Sequence, residues 1–312
     1  MLGRHGDSLF WMARYFERSE NNARRIQAVL YYALTCEDKG EEEWVHTVNS
    51  MGVGSLFEER YGAYDIYNVL DFLLRNRNYD NSVLSLVNKA RQNARSVRTA
   101  LTQEVWQALN ECWITCESSL KRPVQIHNLP TILEHIIKGS SIFRGALYGT
   151  MLHNDIFNFL RLGTFIERAD NTARLIDAKY HRLLPTAAVI GGGGGQGQWE
   201  VMLQSLAAWK SFNWLKKGRL DPTGVADFLI FDLRMPRSMA FCYKEVNANL
   251  ADIATAYDKT YPSKEISDDL CRRLSLGRAN KMHAISLREF ASEYIALNRH
   301  LSLVIAEDFN MT

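Results

Sequence analysis

The stretch that decides the fold reads Phe16-Glu17-Arg18-Ser19-Glu20-Asn21-Asn22-Ala23-Arg24-Arg25-Ile26. It returns in the second half of the chain as Ile166-Glu167-Arg168-Ala169-Asp170-Asn171-Thr172-Ala173-Arg174-Leu175-Ile176. The Glu, the Arg that follows it, the Asn, the Ala and the Arg directly after the Ala are identical between the two stretches. Self-similarity at a long, fixed spacing is typical of a duplicated structural unit.

The similarity extends well beyond these two stretches. Trp44 corresponds to Trp199, Asp71-Phe72-Leu73-Leu74 to Asp227-Phe228-Leu229-Ile230, and Ser82 with Asn93 to Ser238 with Asn249. We therefore predict a duplication of whole halves, with residues 1–150 as the first half and 151–312 as the second. Two such halves are expected to pack as one domain, a helical bundle, about a pseudo-twofold axis.

The apolar residues predict an all-α fold. Between the six prolines they recur at helical spacing, and one side of the first predicted helix carries Phe16, Ala23, Ile26 and Leu30 at about 100° per residue. No period-2 pattern of useful length indicates a strand.

The glycine-rich run at residues 191–197 predicts a flexible loop, since glycine costs about 1 kcal/mol per residue inside a helix. It satisfies the dinucleotide pattern G-x-G-x-x-G through Gly192, Gly194 and Gly197, but no βαβ unit surrounds it. The cysteines and histidines form no zinc-binding set. We predict neither a cofactor nor a metal.

Composition narrows the class of protein. The chain has 312 residues, with 37 basic and 35 acidic side chains. This balance argues against a nucleic-acid binder, which shows a strongly basic surface. Five cysteines, an odd and scattered set, favour a reducing cytoplasm over a disulfide framework. The sequence contains no run of about 18 apolar residues, so we predict no membrane span.

The repeated stretches carry a polar stripe. On a helix Glu17, Asn21 and Arg24 follow the spacing i, i+4, i+7, which brings their side chains within hydrogen-bonding reach of one another. The stripe is flanked by Arg14, Arg18 and Arg25. In the second half the matching stripe consists of Glu167, Asn171 and Arg174, flanked by Arg168.

Three interpretations of the stripes remain open: a solvated face, a buried structural network of Glu–Arg pairs, or a ligand-binding or catalytic site. A buried Glu–Arg pair adds little net stability, yet the loss of one partner costs about 3–5 kcal/mol. If both stripes face the same central region of the bundle, they form either one composite binding site or one composite structural network.

Further arginines are candidates for binding an anion. Arg91, Arg95 and Arg98 share a helix face, and guanidinium groups bind carboxylate or phosphate bidentately. A solvated face is the alternative. Arg237 follows Pro236 at the predicted start of a helix that Ser238 can cap, where an anion is also favoured.

These motifs together resemble the bacterial alpha-E family, a helical domain named for its Glu-Arg motif. The resemblance covers essentially the whole chain and also includes Ala90-Arg91-Gln92-Asn93-Ala94-Arg95, Gly149-Thr150-Met151 and Pro236-Arg237-Ser238-Met239. Family members look like partners of a circularly permuted ATP-grasp protein, often with a transglutaminase-like protease. Because ATP-grasp enzymes make amide bonds through acyl-phosphates, the resemblance implies a peptide-synthesis or peptide-modification system.

Three functions follow as hypotheses. The first is a helical subunit that binds the ATP-grasp protein, a peptide or an anionic small molecule through its Arg, Glu and Asn stripes. The second is an enzyme with Glu17 or Glu167 as acid/base and the arginines as an anion clamp. The third is a purely structural assembly protein.

Overall fold

The computed structural model describes residues 3–35, 40–183, 194–216, 220–279 and 287–311, and within these ranges the chain contains helices and no strand. The helices are α1 (Gly3–Thr35), α2 (Gly40–Ser50), α3 (Gly54–Tyr61), α4 (Ile66–Leu70), α5 (Val83–Ser96), α6 (Gln103–Ser119), α7 (Leu129–Thr150), α8 (Asp155–Leu183), α9 (Gly194–Ser205), α10 (Trp209–Lys216), α11 (Pro222–Phe231), α12 (Met239–Tyr257), α13 (Pro262–Ala279) and α14 (Leu287–Asp308). The predicted all-α class is confirmed. The duplication of the two halves stays a prediction.

The two repeated stretches lie on the two longest helices, which form the centre of the bundle. α1 has 33 residues and α8 has 29, which at 1.5 Å per residue makes them about 50 Å and about 44 Å long. α1 packs against α5, α7, α8 and α9, and α8 also packs against α12 and α14. Because neighbours cover them on several sides, even their polar residues are largely buried.

Gly163 sets how closely α1 and α8 approach each other. A Cβ atom at this position would lie 2.2 Å from the carbonyl oxygen of Phe10 and 3.1 Å from the Cβ of Ala13. The first distance is far inside van der Waals contact with backbone, which has no rotamer to change. Only glycine therefore allows this helix crossing.

We expect Gly163→Ala to lower the free energy of unfolding by about 1–3 kcal/mol, because the two central helices must move apart. Gly145→Ala on α7 is the matched control, since nothing lies within 4 Å of its added Cβ. That change is expected to be neutral or stabilising by up to about 1 kcal/mol. Chemical denaturation of both variants measures the difference, and equal stabilities would show that the crossing is not tight.

The outer helices α5 and α12 begin in the same way. Ser82 caps α5, accepting a hydrogen bond from the backbone N–H of Ser85 at 3.2 Å. Ser238 caps α12, accepting one from Phe241 at 3.1 Å. The predicted cap at Ser238 is therefore confirmed.

Each of these helix starts is tied to a central helix. Nδ2 of Asn22 on α1 donates to the carbonyl oxygen of Asn81 at 2.9 Å. Oγ1 of Thr172 on α8 donates to the carbonyl oxygen of Arg237 at 2.8 Å. Asn22 and Thr172 occupy matching positions in the two repeated stretches, so the same tether occurs twice.

The loop predicted for the glycine-rich run is wrong for residues 194–197, which form the first turn of α9; residues 191–193 lie outside the described part. The reason is a tertiary contact, since a Cβ at Gly197 would lie 2.4 Å from the ring of Tyr32. Packing against α1 thus outweighs the poor helix propensity of glycine.

Within the described ranges, no helix is both long and apolar enough to cross a membrane. No group of three or more His, Cys, Asp or Glu side chains there is placed to hold a metal ion. The cysteines within these ranges are free thiols: Cys112, Cys116, Cys242 and Cys271.

Candidate functional site

The two Glu-Arg motifs exchange ion pairs across the α1–α8 contact. Arg168 donates from Nε to Oε1 of Glu17 at 2.9 Å and from Nη2 to Oε2 at 3.1 Å. Arg18 donates from Nε to Oε1 of Glu167 at 2.6 Å and from Nη2 to Oε2 at 2.8 Å. Both pairs are bidentate, the strongest geometry for a guanidinium and a carboxylate. The arginine of each motif thus binds the glutamate of the other.

Glu167 has a second cationic partner. Nε of Arg14 donates to its Oε2 at 3.1 Å, and the same guanidinium lies 4.8 Å from the centre of the Trp11 ring. Burial alone would raise the pKa of Glu167, but the charges and hydrogen bonds of Arg18 and Arg14 outweigh it and lower the pKa to about 2. The carboxylate is therefore ionised, and both of its oxygens accept hydrogen bonds from arginines.

A second carboxylate, Glu20, joins the network around Glu17. Nη2 of Arg237 lies 2.9 Å from Oε1 of Glu17 and 3.0 Å from Oε1 of Glu20. Arg144 on α7 also reaches both carboxylates, and Nε of Arg24 donates to Oε1 of Glu20 at 2.8 Å. Two buried carboxylates are thus surrounded by guanidinium groups from α1, α7, α8 and the start of α12.

The arginines keep both of these carboxylates ionised. Burial raises the pKa of Glu17, but Arg168 and Arg237 lower it by more, so the net shift is downward. For Glu20 burial is likewise outweighed, by Arg237 and Arg144, and the pKa lies well below its usual value. Neither glutamate carries a proton near neutral pH.

Glu17, Asn21 and Arg24 do not bond to one another as their spacing suggested. Glu17 faces Arg168 on α8, and Arg24 bonds to Glu20 four residues before it. Comparison of the repeats missed Glu20, because its counterpart Asp170 is acidic but not identical. Nothing in the sequence pointed to Arg144.

The remaining candidate arginines lie at the edge of this network or outside it. Nε of Arg174 donates to Asp170 at 2.7 Å, with the Arg174 side chain 53% exposed. On α5, Arg91 bonds to Asn110 of α6 at 2.8 Å, and Arg95 is exposed. Among the hydrogen bonds of the described residues, none joins Arg91 or Arg95 to the α1–α8 network.

The two asparagines of the stripes are oriented by arginines. Nη1 of Arg237 donates to Oδ1 of Asn21 at 2.6 Å, and Nη2 of Arg25 donates to Oδ1 of Asn171 at 3.2 Å. Because each oxygen faces a donor, each Nδ2 group must point away from it. Both Nδ2 groups are buried and have no hydrogen-bond partner.

A cavity of ≈ 230 Å³ lies between the two stripes. Both stripes contribute to its wall, with Arg18, Asn21 and Arg25 from α1 and Glu167, Asn171 and Arg174 from α8. Five of the candidate side chains chosen from the sequence therefore border one polar space beside the crossed ion pairs: Arg18, Asn21, Glu167, Asn171 and Arg174. Glu17 and Arg24 are not part of its wall.

This arrangement defines a class: an all-helical domain in which two Glu-Arg motifs pair with each other beside a polar cavity. The family described as "a predicted alpha-helical domain with a conserved ER motif", Alpha-E, matches residues 1–309. The chain belongs to the Alpha-E family.

Similar proteins occur in mycobacteria. An uncharacterized protein of Mycobacterium bovis and one of Mycobacterium tuberculosis are each 21% identical to this chain over 307 residues. The match covers 93% of this chain and 34% of each relative, so the chain spans about a third of the length of the curated relatives it matches. No solved structure matches the chain.

Proposed function

We propose that this chain is a helical binding subunit of an ATP-grasp-associated peptide-synthesis or peptide-modification system. In this proposal the cavity between α1 and α8 receives an anionic group of a peptide, small molecule or partner. One observation carries it. The carboxylates of Glu17 and Glu167 are both engaged in ion pairs, whereas the cavity beside them retains buried hydrogen-bond donors without partners.

The state of the glutamates supports binding over acid/base chemistry. A general acid or base works best with a pKa near the operating pH. The pKa of Glu167 is lowered to about 2, and that of Glu17 is also lowered. To accept a proton, Glu167 would have to leave two arginines and Glu17 three, so neither is suited to proton transfer.

The cavity supports binding over a purely structural role. In folded proteins nearly all buried polar groups are hydrogen-bonded. Here Nδ2 of Asn21, Nδ2 of Asn171 and Nε of Arg25 are buried without partners, and all three residues line the same cavity. The ion pairs hold α1 and α8 together, and the cavity beside them is available to a ligand that can accept hydrogen bonds.

The length of the relatives supports a module that works alongside other domains. Because the match covers 34% of each mycobacterial protein, this unit is there part of a much longer polypeptide. We propose a circularly permuted ATP-grasp protein as the partner of this chain, as the Glu-Arg family resemblance implies.

Co-expression tests the partnership. A tagged form of this chain is produced together with the ATP-grasp protein encoded beside a family member, and the eluate is analysed by size-exclusion chromatography. We expect both proteins in one peak, while an unrelated tagged helical protein recovers none. Separate elution at micromolar concentration, with circular dichroism showing both proteins folded, would contradict the proposal.

A further inference from the structure

We infer that the cavity beside the crossed Glu–Arg pairs is a carboxylate-binding site, and that Arg25 supplies its positive charge. This inference rests on the proposed binding function and names the chemistry of its ligand. It concerns a residue that differs between the repeats, since the position matching Arg25 is Leu175.

Arg25 is exceptional among the buried arginines. Within the described ranges, five arginines are at most 8% exposed, and four of them pair with glutamates: Arg14, Arg161, Arg168 and Arg237. Arg25 is the fifth, and no carboxylate of the described residues lies within ion-pair distance of it. Its one hydrogen bond there goes to a neutral amide, Oδ1 of Asn171 at 3.2 Å, and its Nε has no partner.

The charge on Arg25 is costly. A buried guanidinium without a counter-charge loses hydration and gains no ion pair in return. The pKa of Arg25 is lowered to about 10, chiefly by burial; Tyr79 opposes the shift and the nearby Arg174 adds to it. At neutral pH the group is still protonated, so a full positive charge faces the cavity.

Water in the cavity can satisfy the two orphaned amides but cannot balance this charge. A carboxylate does both, because one oxygen can accept from the guanidinium of Arg25 while the other accepts from an amide. Nδ2 of Asn21 and Nδ2 of Asn171 are the amide donors at hand, and both side chains line the cavity. Their oxygens are already held by arginines, so the donors are available to a ligand.

The net charge of the wall selects a monoanion. The ionised lining residues are three arginines, Arg18, Arg25 and Arg174, and two acids, Glu167 and Asp170. Their sum is one positive charge, which one carboxylate neutralises. A phosphate dianion would leave an excess negative charge beside Glu167 and Asp170, and like charges this close repel strongly. The volume of ≈ 230 Å³ accommodates several water-sized groups, which suits the end of a peptide or an acidic side chain.

Three probes test the assignment by isothermal titration calorimetry at pH 7 and low salt: N-acetylglycine, its uncharged amide, and inorganic phosphate. We expect the wild-type protein to bind N-acetylglycine at millimolar concentration, the amide not at all, and phosphate more weakly. In Arg25→Gln the affinity for N-acetylglycine should fall roughly tenfold or more, the loss expected for a charge-assisted hydrogen bond. Lack of binding, equal binding of the amide, tighter binding of phosphate or unchanged affinity in Arg25→Gln would overturn the inference.

Thermal stability separates this role from a structural one. Removing an uncompensated buried charge should leave the Tm of Arg25→Gln unchanged or raised, whereas Arg168→Gln, which breaks a paired charge, should lower it. A second variant, Asn171→Asp, places a carboxylate next to Arg25 within the chain. We expect it to lose N-acetylglycine binding without a lower Tm. A marked drop in the Tm of Arg25→Gln, or full binding by Asn171→Asp, would assign Arg25 to the structural network instead.

These readouts are independent of the partnership. Carboxylate binding with no ATP-grasp complex would overturn the proposed partner and leave the site standing. A complex without carboxylate binding would overturn the site and leave the partner standing.

Discussion

Glu17→Gln should lower the free energy of unfolding by about 3–5 kcal/mol, because a neutral amide leaves the buried guanidinium of Arg168 without its ion-pair partner and removes one of the two carboxylates that Arg237 binds. Arg168 and Arg237 both bind this carboxylate, at 2.9 Å each, and both are at most 8% exposed. For a chain of this length the loss corresponds to a fall in Tm of roughly 5–8 °C. Urea denaturation followed by circular dichroism measures it.

A surface pair gives the matched control. Glu117 meets Arg77 at 3.5 Å, with side chains 49% and 66% exposed, so Glu117→Gln should change stability by no more than about 0.5 kcal/mol. If Glu17→Gln proved as harmless as this control, the crossed pairs would not be holding α1 to α8.

Acid should destabilise the fold in a definite pH range. The pKa of Glu167 falls from its ordinary 4.5 to about 2 on folding. A lowered carboxylate pKa contributes stability that is fully present above pH 4.5 and is lost as the pH falls through 2. For Glu167 this contribution is about 3 kcal/mol, and Glu17 and Glu20, whose pKa values are also lowered, act in the same direction. Denaturation midpoints measured from pH 7 down to low pH trace the loss.

Glu167→Gln is the control for this titration. Its stability should be lower than that of the wild type at pH 7, and the two should converge in acid because the wild-type carboxylate becomes protonated there. Parallel curves that keep a constant separation would mean that Glu167 does not titrate with a lowered pKa.

The periodicity of apolar residues was enough to predict the all-α class, and the repeated stretches identified the two central helices. Neither the periodicity nor the repeats predicted how the helices pack against one another. The glycine run was assigned to a loop from propensity alone, yet Gly197 lies in the first turn of α9, because the ring of Tyr32 occupies the space of a side chain. Gly163 gave no signal either, since close helix approach depends on a partner distant in sequence.

The candidate site was predicted in part. Identity between the repeats selected both glutamates and the arginines that follow them, but not which of these residues pair, because spacing along one helix does not show which neighbour a side chain faces. Arg25 was noted only on the flank of the first stripe and was not chosen as a candidate site residue; its counterpart is Leu175. That no carboxylate of the described residues lies within ion-pair distance of Arg25 is a property of the folded chain, which no motif records.

The ion-pair network and the cavity depend on each other. Arg237 binds the carboxylates of Glu17 and Glu20 and also holds the amide oxygen of Asn21. The same residue therefore joins the helices and orients a donor of the proposed site. A loss of Arg237 should accordingly reduce both stability and ligand binding.

The central claim is that the two Glu-Arg motifs hold each other across α1 and α8, and a double-mutant cycle of Glu17→Gln and Arg168→Met tests it most directly. The free energy of unfolding is measured for the wild type, both single variants and the double variant. We predict a coupling of about 1–3 kcal/mol between the two positions, with the double variant more stable than the sum of the single losses implies. Strictly additive losses would contradict the account, because Glu17 and Arg168 would then not be partners in the folded protein.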